Sequence, residues 1–274
     1  MDWGKVMIKK EIKFSPNNEK GSTLLVVLFL LLIIMVVGTY AIKTGMNSLR
    51  ISTNAQINEL LTQSADTPLN KYLNISDLNS LMSYSTAVGA AIDEKQPNRE
   101  FIFCYKPTVN RIFGSILDTS VITAKDDSKG AKLVDSGTNG FCNIAQDFGS
   151  ARQAVVTQVA ITIPREKDDT KEAGSHLVRG TNLSSGSGLP KNLISKQSVR
   201  VTTTAFLPAY ASISSADLQT NCLSSANAFI SDNLSTSMSN KTTLKDCLMS
   251  FNVPVVSQVQ EFTLASFLEQ TAAP

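Results

Sequence analysis

One uninterrupted apolar segment limits what this chain can fold into more than any other feature of its sequence. Residues 22–42 contain no charged side chain, and residues 24–37 consist almost entirely of Leu, Ile and Val. As an α-helix rising about 1.5 Å per residue, this segment is about 30 Å long, which matches the hydrocarbon core of a bilayer. A buried core helix is the alternative, but a helix that is apolar on every side is unusual in a soluble domain. The segment therefore predicts a membrane-inserted helix.

The charges on either side of this segment predict its orientation. Residues 1–21 hold five of the 25 basic residues and three of the 23 acidic residues, so their net charge is +2 and residues 22–274 are formally neutral. A basic segment ahead of an apolar helix favours a cytoplasmic N-terminus. Three interpretations stay open: a secretory signal cleaved near Ala41, an uncleaved signal anchor, and a leader processed after Gly21.

The junction between leader and helix resembles the processing site of type IV prepilins. A hydrophilic leader ends in Lys-Gly and the apolar helix begins at once, in the sequence Glu19-Lys20-Gly21-Ser22-Thr23-Leu24-Leu25. In that family an inner-membrane peptidase cuts after the Gly and N-methylates the new first residue. The resemblance covers about residues 15–65 and implies cleavage between Gly21 and Ser22, with methylation of Ser22. Gly suits such a site because it has no side chain to obstruct a peptidase that reads the backbone.

The fifth residue after this site departs from the pattern of major pilins. Major pilins usually carry Glu there, and in the family it pairs with the N-terminal amine of a neighbouring subunit inside the apolar filament core. This chain has Val26, which cannot form that pair, and an unpaired charge in such a core would be costly. The N-terminus therefore most resembles minor pilins of the PilX type, which implies a place at the filament tip or in an initiation complex. A K-type minor pseudopilin of type II secretion and a membrane-anchored periplasmic binding protein remain alternatives.

The helical period continues beyond the apolar segment while polarity rises. Apolar side chains recur on one stripe, which is expected to pack on a soluble domain and comprises Ile42, Met46, Leu49, Ile57, Leu60 and Leu61. Pro68 is expected to stop the helix, which would run from about residue 23 to residue 64. The predicted organisation is a leader at 1–21, a transmembrane and filament-core half of the helix at 22–42, an amphipathic half at 43–65, and a head domain at 66–274.

The head combines short helical segments with segments of alternating polarity. Residues 77–92, 215–230 and 243–250 are predicted helices, the first with Ser76 as its N-cap. Period-two alternation predicts three strands, each with one face formed by residues two positions apart. These residues are Phe101, Phe103 and Tyr105 in the first strand, Val155, Thr157, Val159, Ile161 and Ile163 in the second, and Val199, Val201, Thr203 and Ala205 in the third. Residues 166–190 are expected to form a long exposed hairpin excursion, and residues 253–267 a final apolar segment. These elements predict an α+β, type IV pilin-like fold, with the long N-terminal helix packed on an antiparallel β-sheet head domain that has extra short helices.

Four cysteines lie beyond the apolar segment, on the side that a cytoplasmic leader would leave in an oxidising compartment. They are Cys104, Cys142, Cys222 and Cys247. None forms a C-x-x-C pair and no His cluster accompanies them, so zinc and thiol-redox sites are disfavoured. Four cysteines allow three pairings, and four reduced thiols are a further alternative. We expect sequence neighbours to pair, Cys104 with Cys142 and Cys222 with Cys247, because the second bond would join two adjacent short helices.

The sequence offers little catalytic chemistry. It contains no Gly-rich phosphate loop, no G-x-S-x-G elbow and no H-E-x-x-H motif. The one His, His176, lies in the polar excursion, and the acidic pairs at 126–127 and 168–169 lack the spacing of a calcium loop. We therefore expect no enzyme activity, cofactor or metal, and the near-neutral charge does not indicate direct nucleic-acid binding.

The resemblance implies a structural subunit, a minor pilin held in the bacterial inner membrane as a single-pass protein with its head in the periplasm. After assembly it would lie in the pilus, at or near the tip. The implied partners are the prepilin peptidase, the inner-membrane assembly platform, other minor pilins, the major pilin and, before assembly, the lipid bilayer. The implied roles are initiation of pilus assembly and, through it, twitching motility, adhesion and DNA uptake.

Overall fold

A computed structural model describes the chain between residues 22 and 269, with several gaps. The described residues are 22–75, 78–94, 99–107, 113–125, 130–135, 137–149, 153–164, 192–235 and 238–269. The chain divides into two compact units, Met1–Ala55 and Gln56–Pro274. The architecture is α+β, with a long apolar N-terminal helix and a six-stranded antiparallel sheet.

The N-terminal helix α1 spans Ser22–Leu73 and has 52 residues. At 1.5 Å per residue it is about 78 Å long. Its start agrees with the sequence, but the prediction that Pro68 ends it is wrong, because the helix continues through Pro68. Proline removes one intrahelical hydrogen bond. The turn after it is held by packing instead, since Leu69 and Tyr72 are both buried in the core of the second unit.

Only the last members of the predicted amphipathic stripe are buried. Ile57 packs partly against the core and Leu61 is fully buried, while the exposed members of the stripe are Ile42, Met46, Leu49 and Leu60. Among the stripe residues that belong to the second unit, Ile57 and Leu61 pack on the head as expected, and Leu60 does not. The contacting side of α1 lies further along the helix and consists of Leu61, Ala65, Leu69 and Tyr72, which are spaced four, four and three residues apart on one face.

Two short helices replace the single helix predicted for residues 77–92. Helix α2 spans Leu78–Leu81 and helix α3 spans Ala87–Glu94. Thr86 accounts for the break, because its hydroxyl donates to the carbonyl of Leu81 at 2.6 Å and accepts the N–H of Gly89 at 3.0 Å, which caps α3. The predicted N-cap, Ser76, lies outside the described residues.

The six strands are all antiparallel and lie in the order β3-β2-β1-β4-β5-β6. Their bounds are Arg99–Cys104 for β1, Ser120–Ala124 for β2, Ala131–Asp135 for β3, Val156–Thr162 for β4, Asn192–Phe206 for β5 and Val255–Glu269 for β6. The alternation in sequence predicts β1, β4 and β5, and the final apolar segment forms β6. Strands β2 and β3 are only five residues long and are not predicted. The expected excursion at 166–190 lies outside the described residues.

One face of the sheet packs on α1 and α3, as the shared faces in the sequence predict. Phe101, Phe103 and Tyr105 from β1 and its C-terminal extension lie in one core cluster with Val159, Ile161, Val199 and Val201. Next to it, Val155 and Ala205 pack with Leu61 and Ala65 of α1. The opposite face is also covered, since Ile102, Ile122 and Ala160 pack against Phe141, Ala228 and Ile230.

Two further helices lie between β5 and β6. Helix α4 spans Ser215–Cys222 and helix α5 spans Leu244–Ser250. The prediction of α5 is confirmed, and its N-cap Thr243 forms a capping box with Asp246. The prediction that α4 reaches residue 230 is wrong. Side chains bond its last carbonyls, with Ser224 donating to Thr220 at 2.8 Å, and this competes with another helical turn.

Candidate functional site

The first part of α1 exposes apolar side chains in every direction. Each large apolar side chain from Leu24 to Val37 has an exposed fraction between 43% and 74%. By its length and composition the helix is able to cross a membrane, and both membrane anchors and signal sequences have these properties. A continuous apolar surface of this size favours either lipid or the apolar helices of other chains as its surroundings.

Two hydroxyl groups just after this apolar part of α1 form hydrogen bonds within the helix itself. The hydroxyl of Thr39 donates to the carbonyl of Val36 at 2.9 Å, and that of Thr44 donates to the carbonyl of Tyr40 at 3.0 Å. Unsatisfied polar groups are costly in an apolar medium, because water is not there to bond them. These bonds make the segment compatible with lipid or with a bundle of helices.

One residue of the predicted processing site, Ser22, lies at the start of α1. Ser22 is the first residue of the helix, and Val26 follows one turn later with its side chain exposed. Gly21 and the rest of the leader at 1–21 lie outside the described residues. Val26 thus offers an apolar surface one turn into the helix.

Both expected disulfides are present, Cys104–Cys142 and Cys222–Cys247, with Cα–Cα distances of 4.8 Å and 5.9 Å. The first joins the end of β1 to the segment after β3, and the second joins α4 to α5. All four cysteines belong to one core cluster, together with Val156, Phe206, Leu218, Leu244 and Leu248. The fold therefore brings the two bonds into a single lobe, which we call the disulfide lobe.

Gln219 of α4 links the two halves of the disulfide lobe. Its side-chain amide nitrogen donates to the carbonyl of Cys142 at 2.9 Å and to that of Leu223 at 2.8 Å. Its side-chain oxygen accepts the N–H of Ile144 at 2.9 Å. One side chain thereby ties the strand-side disulfide to the helix that carries the other disulfide.

A cleft of about 630 Å³ opens beside the Cys104–Cys142 bond. The ammonium group of Lys106 lies 2.6 Å from the carboxylate of Asp147, which also accepts the N–H of Asn143 at 2.9 Å. The aromatic rings in its wall, Phe103 and Phe141, are buried and offer little surface for stacking. The described polar groups of the cleft therefore mainly hold the disulfide lobe together.

A buried carboxyl group, Glu100 of β1, lies on the face of the sheet opposite α1. It accepts the N–H of Ser231 at 2.8 Å. Burial, and secondly the nearby negative charge of Asp232, raise the pKa of Glu100 to about 8, while the Ser231 bond and Arg200 act in the opposite direction. Glu100 and Thr162 both line a small cavity of about 20 Å³. The hydroxyl oxygen of Thr162 has no hydrogen-bond partner among the described residues.

Arg200 of β5 connects two acidic residues next to Glu100. Its guanidinium group lies 3.2 Å from the carboxylate of Asp232 and 2.6 Å from that of Glu261. Asp232 also accepts the hydroxyl of Thr202 at 2.8 Å. The sequence does not predict this cluster. Its only signal is that the apolar Ile102 shares a face of β1 with Glu100, which indicates that the second face of β1 is buried as well.

The cluster does not resemble a metal site. Among the described residues no three His, Cys, Asp or Glu side chains are grouped to hold a metal ion. Arg200 already occupies the centre between the two carboxylates, and its positive charge opposes a cation there. His176 and the acidic pairs at 126–127 and 168–169 lie outside the described residues.

Comparison with protein-family models, with curated proteins and with solved structures finds no match to this chain. The functional conclusion therefore depends on its own residues, namely the apolar first part of α1, the residues at the start of that helix, and the head held by two disulfides.

Proposed function

We propose that this chain is a minor pilin of the PilX type, which enters the complex that initiates type IV pilus assembly and lies at or near the pilus tip. The observation that carries the proposal is the continuity of α1. One helix extends from Ser22, directly after the Lys-Gly pair, through an exposed apolar segment and into the core of the second unit. An uncleaved anchor needs no such helix shared by the membrane segment and the head.

In this proposal the apolar segment has two successive environments. Before assembly it lies in the inner membrane with the head in the periplasm. During assembly it leaves the lipid for a bundle of helices from other minor pilins and the major pilin, where side-chain packing replaces lipid contact. The internally bonded Thr39 and Thr44 hydroxyls cost little in either medium.

Val26 supports a position at the filament end. A subunit in the body of a filament is surrounded by neighbours on all sides, and in major pilins a carboxylate at this position pairs with a neighbour's amine. Val26 offers no partner for that amine, which would leave a buried charge unpaired. At a tip or in an initiation complex fewer neighbours require that pair.

The head supplies selectivity for partners in this proposal. A periplasmic domain that must withstand assembly benefits from covalent cross-links, and the disulfide lobe contains two of them. The proposed partners in processing and assembly are the prepilin peptidase and the inner-membrane assembly platform.

A glycine variant with a matched control tests the proposal. Gly21→Phe, expressed with a prepilin peptidase, is expected to leave full-length precursor in the membrane. Gly38→Phe is the control, because Gly38 lies within α1, after the predicted cleavage site, and a Cβ atom there would meet no neighbouring group within 4 Å. Processing of Gly21→Phe at the wild-type rate contradicts the proposal, as does a failure of the wild type to be processed.

A further inference from the structure

The two edges of the sheet differ in how they are protected against pairing with another chain. Edge strand β3 has only five residues, its pairing with β2 contains a register shift, and Lys132 in it is exposed. Its first residue is also covered, since the N–H of Ala131 donates to the carbonyl of Ala228 at 2.6 Å. Proteins prevent pairing at an edge strand by such devices as a short strand, an irregular register, an edge lysine and a covering segment.

Among the residues that the structure describes, edge strand β6 shows none of these four devices. It contains 15 residues and pairs with β5 over its full length without a register shift. Its sequence, Val255–Glu269, contains no proline, lysine or arginine. Within the described part of the chain no strand lies on its outer side. Alternate N–H and C=O groups of an antiparallel edge strand point outward, which forms a template for one more strand.

A groove of mixed polarity follows this edge on the face opposite α1. Val256 and Phe262 point toward α1 and its core, so Ser257, Val259 and Glu261 lie on the other face. There a groove of about 280 Å³ has an apolar part, formed by the exposed side chains of Leu234, Met249 and Val259, and a polar part that includes Asp232, Lys245 and Asp246. A strand added to β6 would point every second side chain toward this groove.

The charge beside the groove favours a basic partner. Arg200 forms ion pairs with both Asp232 and Glu261, so these three side chains together carry a net charge of −1. Lys245 and Asp246, which also line the groove, carry opposite charges and leave this net charge unchanged. The Glu261 side chain is 53% exposed and lies two residues from Val259 on the same face. A second copy of β6 would bring two more Glu and no basic residue to this edge. Like charges across strands are unfavourable, whereas Lys or Arg beside Glu261 is favourable.

We propose that the outer edge of β6 binds an extended segment of a different protein by β-strand addition. The bound strand places an apolar side chain in the groove at Val259 and a basic side chain, two positions away, beside Glu261. Main-chain hydrogen bonds to β6 provide affinity, and the groove and Glu261 provide selectivity. This inference depends only on the second unit, so its failure would leave the pilin proposal untouched, and the reverse also holds.

Binding of a synthetic peptide to the full chain in detergent micelles tests the inference. The probe is a fluorescent, end-capped peptide of sequence Thr-Lys-Thr-Val-Thr-Val-Thr-Lys-Thr, which presents the same alternation in either chain direction. Fluorescence anisotropy is expected to show saturable binding. Methylating the backbone nitrogens of the two Val residues and of the three Thr residues next to them is expected to abolish binding. Replacing both Lys residues by Glu is expected to weaken it. No saturable binding, or binding that the methylated peptide retains, overturns the inference.

Variants of the protein then locate the bound peptide. Val259→Lys, at an exposed edge position, is expected to weaken binding about tenfold or more, and Glu261→Gln about twofold to fivefold. Met249→Lys on α5 provides a second groove variant if Val259→Lys does not fold. Leu117→Lys is the matched control, because Leu117 is an exposed apolar residue outside the groove. Equal binding by all of these variants overturns the inference. The inference is also overturned if the wild type is a dimer and Val259→Lys is a monomer, because a second copy of the chain would then occupy the edge of β6.

Discussion

The hydroxyl group of Thr203 in β5 donates a hydrogen bond of 2.9 Å to the main-chain carbonyl of Ala65 in α1. Both residues are fully buried, and apolar contacts from Leu61, Val155 and Leu207 surround them. This polar contact lies within an apolar interface and fixes the position of the helix along the sheet, because the bond forms at only one register.

Replacing Thr203 by Val removes this bond while keeping the shape of the side chain. We expect the free energy of unfolding of the head to fall by about 1 kcal/mol, the usual net value of one buried hydrogen bond. Urea unfolding followed by circular dichroism measures it. The control is Thr67→Val, whose hydroxyl bonds within α1 at an exposed site and should change stability by at most about 0.5 kcal/mol. Equal effects of both changes would contradict a specific role for the Thr203–Ala65 bond.

Glu100 predicts a pH dependence of stability. Its pKa is raised to about 8 in the folded protein, from an ordinary value of 4.5, mainly by burial. The stability associated with its protonated form is complete below pH 4.5 and is lost as pH rises toward 8, since the unfolded chain releases the proton first. Glu100→Gln stays neutral at all pH values. The variant should therefore become more stable relative to the wild type by up to about 1.4 kcal/mol per pH unit between pH 5 and pH 8.

Urea unfolding of both proteins at several pH values in that interval checks this prediction. A stability difference that does not change with pH would show that Glu100 has the same pKa in the folded and unfolded chain. Infrared spectroscopy of the carboxyl band gives an independent reading, because only the wild type should lose a buried protonated carboxyl group near pH 8.

The disulfide lobe should depend strongly on both of its cross-links. The bonded cysteines are 38 and 25 residues apart, and closing loops of this size stabilises a fold by about 3–4 kcal/mol each. Replacing Cys222 and Cys247 together by Ala should lower the free energy of unfolding by about that amount. A reducing agent breaks both bonds, so it should lower the free energy of unfolding of the wild type by more than the double substitution does. A peptide map without reduction that links Cys104 to Cys222 would contradict the pairing.

The division of the chain predicts that the head folds without the apolar segment. A chain of residues 56–274 retains the side chains of α1 that pack on the head, which lie between Ile57 and Tyr72. We expect it to be monodisperse without detergent and not to sediment with lipid vesicles, while the full chain requires detergent. Sedimentation of the truncated chain with vesicles would show that the head itself binds lipid.

The sequence predicts features that depend on local pattern and misses those that depend on tertiary contacts. Apolar continuity locates the start of α1, and the helix predicted at residues 243–250 matches α5. Pro68 leads to a wrong prediction of where α1 ends, because the burial of Leu69 and Tyr72 on the following turn outweighs the local free-energy cost of proline in a helix. The break between α2 and α3 depends on one hydroxyl, that of Thr86, whose partners the sequence does not identify.

The sequence does not predict the cluster of charged residues around Glu100, for a related reason. A Glu that alternates with apolar residues in a strand is ordinarily assigned to a solvated face. Glu100 is buried because Ala228 and Ile230, more than 100 residues later in the chain, cover that face of the sheet. Only the tertiary fold brings Arg200, Asp232 and Glu261 beside it.

Intact mass spectrometry of the protein extracted from membranes that contain a prepilin peptidase tests the central claim most directly. The proposal predicts one mass, that of residues 22–274 with both disulfides formed and one added methyl group, located on the amine of Ser22. A full-length mass would indicate an uncleaved anchor. A mass that corresponds to a chain beginning at Ile42 would indicate an ordinary secretory signal, and either result would contradict the assignment to the pilins.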